Sequence, residues 1–473
     1  MNIGVPLALH PDRLFPPEPA VRSLARELYA SVAGLPIISP HGHTDPRWFA
    51  DNEPFGNAAE LLLVPDHYLF RMLYSQGIPL ESVGLYPAGY VGPKTEAREA
   101  WRVLAANFHL FRATPSRMWL DWVFANVFGL TELLTSATAD VYFDTITDAL
   151  ARDDFRPRAL FDKFNIEVLA TTESPTDDLR HHAAIRSSGW GGRVVTAYRP
   201  DPVVDPEFQG FRNNLVRLSD LSGEDCFSYS GYLAGHRHRR AFFAANGSTS
   251  TDHGHPTAAT ADLSEAEAEK LFASVVNGQP DAGQAELFRA HMLTVMAGMS
   301  VEDGLVMQLH PGSFRNHNRR LFERFGRDKG ADIPMRTDYV HALRPLLDRY
   351  GNDPRLSLIV FTLDESTYAR ELAPLAGHYP ALKLGPAWWF HDSPEGMRRF
   401  RSQVTETAGF YNTVGFNDDT RAFLSIPARH DVSRRIDCGF LAQLVAEHRL
   451  QDWEAAEVAA DLAYNLAKAA YRL

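Results

Sequence analysis

LPIISPHGH (residues 35–43) is a short apolar, β-branched run that stops abruptly at two histidines, His41 and His43. Runs that are continuously apolar and then finish in chemistry are how strands buried on both faces of a parallel sheet read in sequence. Seven further segments repeat the pattern. IEVLATTE (166–173) ends in Glu173, RVVTAYRPD (193–201) in Arg199 and Asp201, and the weaker GSTSTDHGH (247–255) in Asp252, His253 and His255. GLVMQLHPG (304–312) delivers His310, and LSLIVFTLDE (356–365) delivers Asp364 and Glu365. ALKLGPAWWF (381–390) delivers Trp388 and Trp389, and YNTVGFNDDTR (411–421) delivers Asp418, Asp419 and Arg421. The pattern predicts an α/β chain folded as a (β/α)8 barrel of the TIM type, in which all strand carboxyl ends converge on one rim and catalytic groups gather there. An open doubly wound sheet would need functional groups only at its switch point. No Gly-x-Gly-x-x-Gly follows an early strand.

Helices are expected between these runs. DLSEAEAEKLFASVVNG carries Ser264 and Glu267 at capping-box spacing and closes on Asn277-Gly278. SPEGMRRFRSQVTETAG places Ser393 as N-cap and Pro394 at the first helical position. Residues 452–473 read as a long alanine-rich terminal helix. The gap from 44 to 165 is far too long for one βα crossover and contains amphipathic stretches such as TEAREAWRVLAANFHLF. It is expected to be a helical insertion between strands 1 and 2, within a single decorated barrel domain spanning 1–473, and to sit over the rim as a lid.

The composition, 45% hydrophobic and 22% charged, is that of an ordinary folded chain. A net charge of −12, with no stripe of Lys and Arg interleaved with aromatics, argues against nucleic acid as a partner. An anionic small substrate would need locally placed arginines to overcome that field. The two cysteines, Cys226 and Cys438, cannot build a disulfide framework or a Cys-rich zinc site, so a reducing cytoplasm is expected. The N-terminus lacks a basic region and is broken by Pro6 and Pro11, unlike a signal peptide. No apolar stretch is long enough to span a membrane.

His41 and His43, two apart on a strand, are expected to point to one side and to share a divalent ion, with Gly42 leaving room between them. Strand-end histidines bonded to backbone are the plainer alternative. His310 and the Asp418-Asp419 pair are the natural further contributors, since the last strand of a closed barrel neighbours the first. Asp419 could ligate the ion, act as a base, or do both. Equally, His310 could be a core histidine, and NDDT is good Asx-turn chemistry, in which one aspartate caps the turn while the other faces the site. Arg199 and Arg421 are candidates for an anionic substrate because guanidinium forks pair with carboxylates. His67 and Tyr68 follow Asp66, a possible N-cap, and lie at the mouth of a helix. Trp388 suits packing on a sugar face, or either tryptophan fills the barrel. The second His-x-His, His253 and His255, reads as a loop of satisfied histidines rather than as metal ligands. No Lys ends the fourth strand, which argues against a carbamylated-lysine two-metal site.

Taken in order, PHGHTDP, PDHYLFRML, TAYRPD, DHGHP, QLHPG, PAWWFHDSPEGM and GFNDDTR resemble the uronate (glucuronate) isomerases, divergent members of the amidohydrolase superfamily. The resemblance runs from about residue 20 to 470. It implies interconversion of D-glucuronate with D-fructuronate, and of D-galacturonate with D-tagaturonate, in pentose and glucuronate catabolism. Carried over by motif, it implies one divalent ion, zinc, held by His41, His43 and Asp419 with His310 nearby. It also implies substrate contacts from His67, Tyr68, Arg199, Trp388 and Arg421, with Asp419, Tyr68 and His310 as the catalytic set. A homo-oligomer acting on a small sugar acid, without nucleic-acid or membrane partners, is expected. One departure is TTESP in place of a TTDDP-like segment; Glu173 keeps the charge on a longer arm and is left outside the site. The alternative is a metal-dependent amidohydrolase or lactonase on the same barrel. The arginine and tryptophan set and the missing strand-four Lys favour the sugar acid.

Overall fold

Seven of these runs pair side by side as parallel strands. In a computed structural model describing residues 4–278 and 280–473, the first five are β1 (Ile37–Ser39), β2 (Ile166–Glu173), β3 (Arg193–Tyr198), β4 (Ser250–His253) and β5 (Val306–Leu309). A short antiparallel ribbon of β6 (Ser313–Phe314) and β7 (Ile333–Pro334) intervenes. The sheet then continues with β8 (Leu358–Val360) and β9 (Leu382–Leu384), giving the order β1-β2-β3-β4-β5-β8-β9.

The eighth run forms no regular strand. It meets β9 through one parallel bridge, Leu384 to Thr413, with Val414 N donating to Leu384 O at 3.1 Å. Beyond it, Gly415 takes a left-handed φ of 74°, which breaks a strand ladder. Asn417 Oδ1 then accepts from Asp419 N at 2.9 Å, turning the chain again. At the far end Thr420 O accepts from His43 N at 3.1 Å, so the segment also touches the end of β1.

The sheet is curled. β1 and β5 stand four places apart in strand order, yet the ring of His41, just after β1, stacks on that of His310, just after β5, at 4.7 Å. Both faces are buried, as the unbroken apolar runs require. Ile359 of β8 packs with Val306, Val414 and Tyr471, whereas its neighbours Leu358 and Val360 pack with helix residues such as Met296 and Phe400. Ile38, Val168 and Val195 from β1, β2 and β3 pack around Ala467. The last helical turn, Leu466–Ala470, thus fills the concave side opposite the functional strand ends. Each aliphatic side chain buried this way contributes roughly 1.5–3 kcal/mol relative to exposure.

Between β1 and β2 the chain is helical, from Pro46–Asp51 to Pro157–Lys163. Trp101, Phe108, Phe124 and Tyr142 of this region share one apolar cluster with Ile37 and Leu169 of the sheet, so it packs on the sheet directly. The expected caps form: Ser264 with Glu267 as a capping box, Ser393 on Gly396 N, and Asp66 on Tyr68 N and Leu69 N. The terminal helix is not continuous, since a π-helical turn, Asp461–Asn465, interrupts it. Cys226 and Cys438 are buried and unbonded to one another. Among the described residues no helix is long and apolar enough to cross a membrane.

Candidate active site

The strand ends open into a cavity of about 450 Å3, lined by His41, His43, His310 and Asp419 and by His67, Tyr68, Arg199, Trp388 and Arg421, but not by Asp418. At its floor, Asp419 Oδ1 lies 3.5 Å from His41 Nε2 and 3.2 Å from His43 Nε2. The two histidines do not converge for the expected reason. They lie beyond the end of β1, so strand alternation no longer governs them, and their rings stand 5.3 Å apart at 82°. What fixes them is the contact of His43 N with Thr420 O, which ties the loop to the Asp419 turn.

A second group overlaps the first. His41, Asp252 and His310 also bring ligand atoms within 4.8 Å of one another, with His310 Nδ1 at 2.8 Å from Asp252 Oδ1. Asp252 is completely buried. The arrangement fits a divalent cation. His41 Nδ1 and His310 Nε2 are buried without a hydrogen-bond partner, and the close contacts of His310 Nδ1 and Arg199 Nη1 with Asp252, and of His43 Nε2 with Asp419 Oδ1, are not well-aligned hydrogen bonds; buried polar atoms of this density are costly unless something binds them. Burial also pushes the His43 and His310 imidazoles below their ordinary range, toward the neutral form that ligation requires. Burial alone would raise Asp419, but the surrounding His41, His43 and His310 outweigh it and hold the carboxyl ionised. Trp388 Nε1–H donates to Asp419 Oδ2.

The adjacent aspartate does something else. Asp418 was expected to be either the turn cap or the site residue. Asn417 caps the turn instead, and Asp418 is buried against His430, with Oδ2 at 3.1 Å from Nε2.

The upper wall comes from the helical region. Asp66 starts the helix His67–Ser75 and aims its first two side chains at the cavity. Burial pushes His67 down to about 3 and Tyr68 well above its ordinary value, so the site holds a neutral imidazole and a protonated phenol. Tyr68 Oη donates to Trp389 O at 3.2 Å. Trp388 is 5% exposed and meets the His310 ring at 4.7 Å, placing it on the floor. Trp389, beside His67, is half-buried.

The two arginines differ in freedom. Arg199 gives Nε to Asp201 Oδ2 at 2.8 Å and holds Nη1 at 3.0 Å from Asp252 Oδ2; among the described residues Nη2 makes no hydrogen bond. Arg421 is 42% exposed, and among the described residues its one acidic partner is Asp328 at 3.5 Å.

Three residues escape the motif reading. Glu173, expected outside the site, lines the cavity. Asp252 was visible at a strand end but overshadowed by the histidines that follow it. Arg429, 1% exposed, lines the cavity from the helix Ile426–Ala446, its guanidinium 3.5 Å above the Trp119 ring and paired with Asp392. The available signal for it was a run of charges (RHDVSRR) inside a helix flanked by apolar residues. His253 and His255 belong to neither metal-type group among the described residues.

Comparison with known proteins agrees with this geometry. Residues 20–471 match the glucuronate isomerase family. A uronate isomerase from Sphingopyxis alaskensis is 74% identical over 472 residues, covering 99% of each chain. The crystal structure of glucuronate isomerase from Caulobacter crescentus superposes with a TM-score of 0.98 at 67% identity, covering 99% of this chain and 97% of that one. A uronate isomerase structure from Thermotoga maritima, 24% identical over 98% of this chain and 99% of its own, shares the fold at a TM-score of 0.91. The chain belongs to the glucuronate isomerase family.

Proposed function

We propose that this cavity interconverts D-glucuronate with D-fructuronate, and D-galacturonate with D-tagaturonate, by moving a proton between C2 and C1 through an enediol. Aldose–ketose isomerisation of uronates is the activity of the chain. The observation that carries the assignment of residues is the meeting of His41, His43, Asp252, His310 and Asp419 on one floor, with cationic arginines and a phenol around it.

His41, His43 and Asp419, with Asp252 and His310 beside them, would hold one divalent ion, here assigned as zinc. Bound there, the ion would act as a Lewis acid on a substrate oxygen. Asp419, ionised and oriented by Trp388 Nε1–H, takes the proton from carbon. Tyr68, kept protonated by burial, stands as its partner in proton transfer. Arg199 is fixed by two aspartates, which leaves Nη2 for the uronate carboxylate. Arg421, more exposed, supplies charge to the enediolate, and His67 and Trp388 shape the pocket.

In this reading the curled sheet is an eight-stranded barrel closed by the irregular 411–421 segment. Residues 44–165 are the insertion over its rim, and the whole chain is one domain. The enzyme is assigned to the cytoplasm and to a homo-oligomer. Family membership removes the hydrolase alternative, which relied on the same donors. The test is incubation of purified protein with each uronate and a reductase-coupled readout of the ketouronate. Turnover of either substrate is expected; none, with metal bound, would overturn the assignment.

A further inference from the structure

A carboxyl on the cavity wall has no part in the scheme above. Glu173 ends β2 and lines the cavity. Its Oε2 accepts hydrogen bonds from Thr171 Oγ1 at 2.9 Å and from Thr196 Oγ1 of β3. Behind them, His182 Nε2 lies 2.9 Å from Thr171 Oγ1. Burial pushes His182 down to about 4, so it is neutral. If its Nε2 carries the hydrogen, His182 donates to Thr171 and Thr171 to Glu173, and the line of donors ends on Oε2. Among the described residues Oε1 makes no hydrogen bond.

The surroundings favour the acid over the anion. Among the described residues no lysine or arginine pairs with Glu173, and the only base near it is His182, 3.8 Å from Oε2. The charges that bear on it most, Asp177 and Asp45, are themselves acidic, and Arg199, which follows the neighbouring strand β3 into the same cavity, is paired with Asp201 and Asp252. A buried carboxyl without a cation keeps its proton, and burial pushes Glu173 up to about 8. With Oε2 already accepting two hydrogen bonds, the proton belongs on Oε1.

We propose that Glu173 is a substrate-contacting carboxylic acid, its Oε2 anchored by Thr171 and Thr196 and its Oε1–H donating to a sugar oxygen in the cavity. The proposal rests on reading the cavity as a uronate site. A neutral acid suits an anionic sugar twice over, since it donates a hydrogen bond and adds no repulsion. It also gives the TTESP departure a purpose, because the longer glutamate arm spans from the two threonines into the cavity.

The test is KM and kcat for D-glucuronate and D-galacturonate on both sides of pH 8, in wild type, E173Q and E173A, with metal content and thermal midpoint recorded on each preparation. Below that pH the acid donates; above it the donor is lost and a repelling charge appears. Wild-type KM should therefore rise severalfold as pH passes about 8. E173Q, whose amide carries no titrating proton, should lack that rise. E173A should raise KM about tenfold at neutral pH, the loss of one well-made hydrogen bond, and by more than E173Q does. A merely structural role would lower the thermal midpoint while leaving the pH dependence of KM parallel in E173Q and wild type, and that result would overturn the proposal. So would an unchanged KM in E173A. If E173A does not fold, the E173Q profile decides. Absence of uronate turnover in the wild type would instead overturn the reading on which the proposal rests.

Discussion

The two His-x-His pairs have the same spacing, the same glycine between them and a place near a strand's carboxyl end, yet among the described residues only the first sits at the cation-type cluster. His41 and His43 lie beyond Ser39, where β1 has stopped, and both face Asp419. His253 is still inside β4. There alternation holds: Ser250 and Asp252 share one face, with Ser250 Oγ taking a hydrogen bond from Gln308 and Asp252 meeting His310, while Thr251 and His253 share the other. His253 Nε2 accordingly pairs with Thr251 Oγ1 at 3.0 Å, fully buried. A single residue of phase against the sheet turns a candidate ligand into a structural histidine and gives its place in the cavity to Asp252. Spacing alone does not define such a motif; where the strand ends does.

That comparison can be broken at several points. The largest effect is expected from Asp419→Asn, which removes the carboxylate on which the first pair converges; kcat should fall at least about a hundredfold, measured by the coupled assay. Next, His41→Ala with His43→Ala should reduce bound metal about tenfold or more by elemental analysis, with turnover falling in step. Trp388→Phe keeps the ring but removes the N–H donated to Asp419, and kcat should drop about tenfold with metal content retained. The smallest catalytic effect belongs to the second pair. His253→Gln and His255→Gln should leave turnover within about twofold while lowering unfolding stability by about 1–3 kcal/mol, read from denaturant titration, because the buried contact of His253 with Thr251 is lost. Turnover collapsing in the second pair at unchanged stability would erase the distinction.

Most of the fold was legible because the strands advertise themselves. Continuous apolar runs such as VLATT and LIVF are what a sheet covered on both faces demands; most end in a polar group that lines the cavity, although Asp364 and Glu365 after β8 are taken up by Thr337, Ser366 and Arg399 instead. The eighth run was legible as a segment but not as an irregular one, since its break depends on the left-handed Gly415 and the Asn417 turn. The ligand candidates were legible as residue types. Their grouping was not, because it depends on curvature that brings His41 against His310 and on strand phase that selects Asp252. Arg429 and Asp392 come from outside the strand ends, and only the packing of the helix Ile426–Ala446 behind Tyr68 places the guanidinium there. Glu173 was set aside because its arm length was read against a motif; its place on the cavity wall depends instead on β2 and on the two threonines that hold its carboxyl, which no motif shows.

The central claim is that the floor around Asp419, and not the second histidine pair, carries both the metal and the isomerisation. It is tested most directly by measuring metal per chain and D-glucuronate turnover on the same preparations of wild type, His41→Ala/His43→Ala and His253→Gln/His255→Gln. The account predicts that the first double variant loses both quantities together and the second keeps both. Metal and turnover surviving in the first, or vanishing from a folded second, would contradict it.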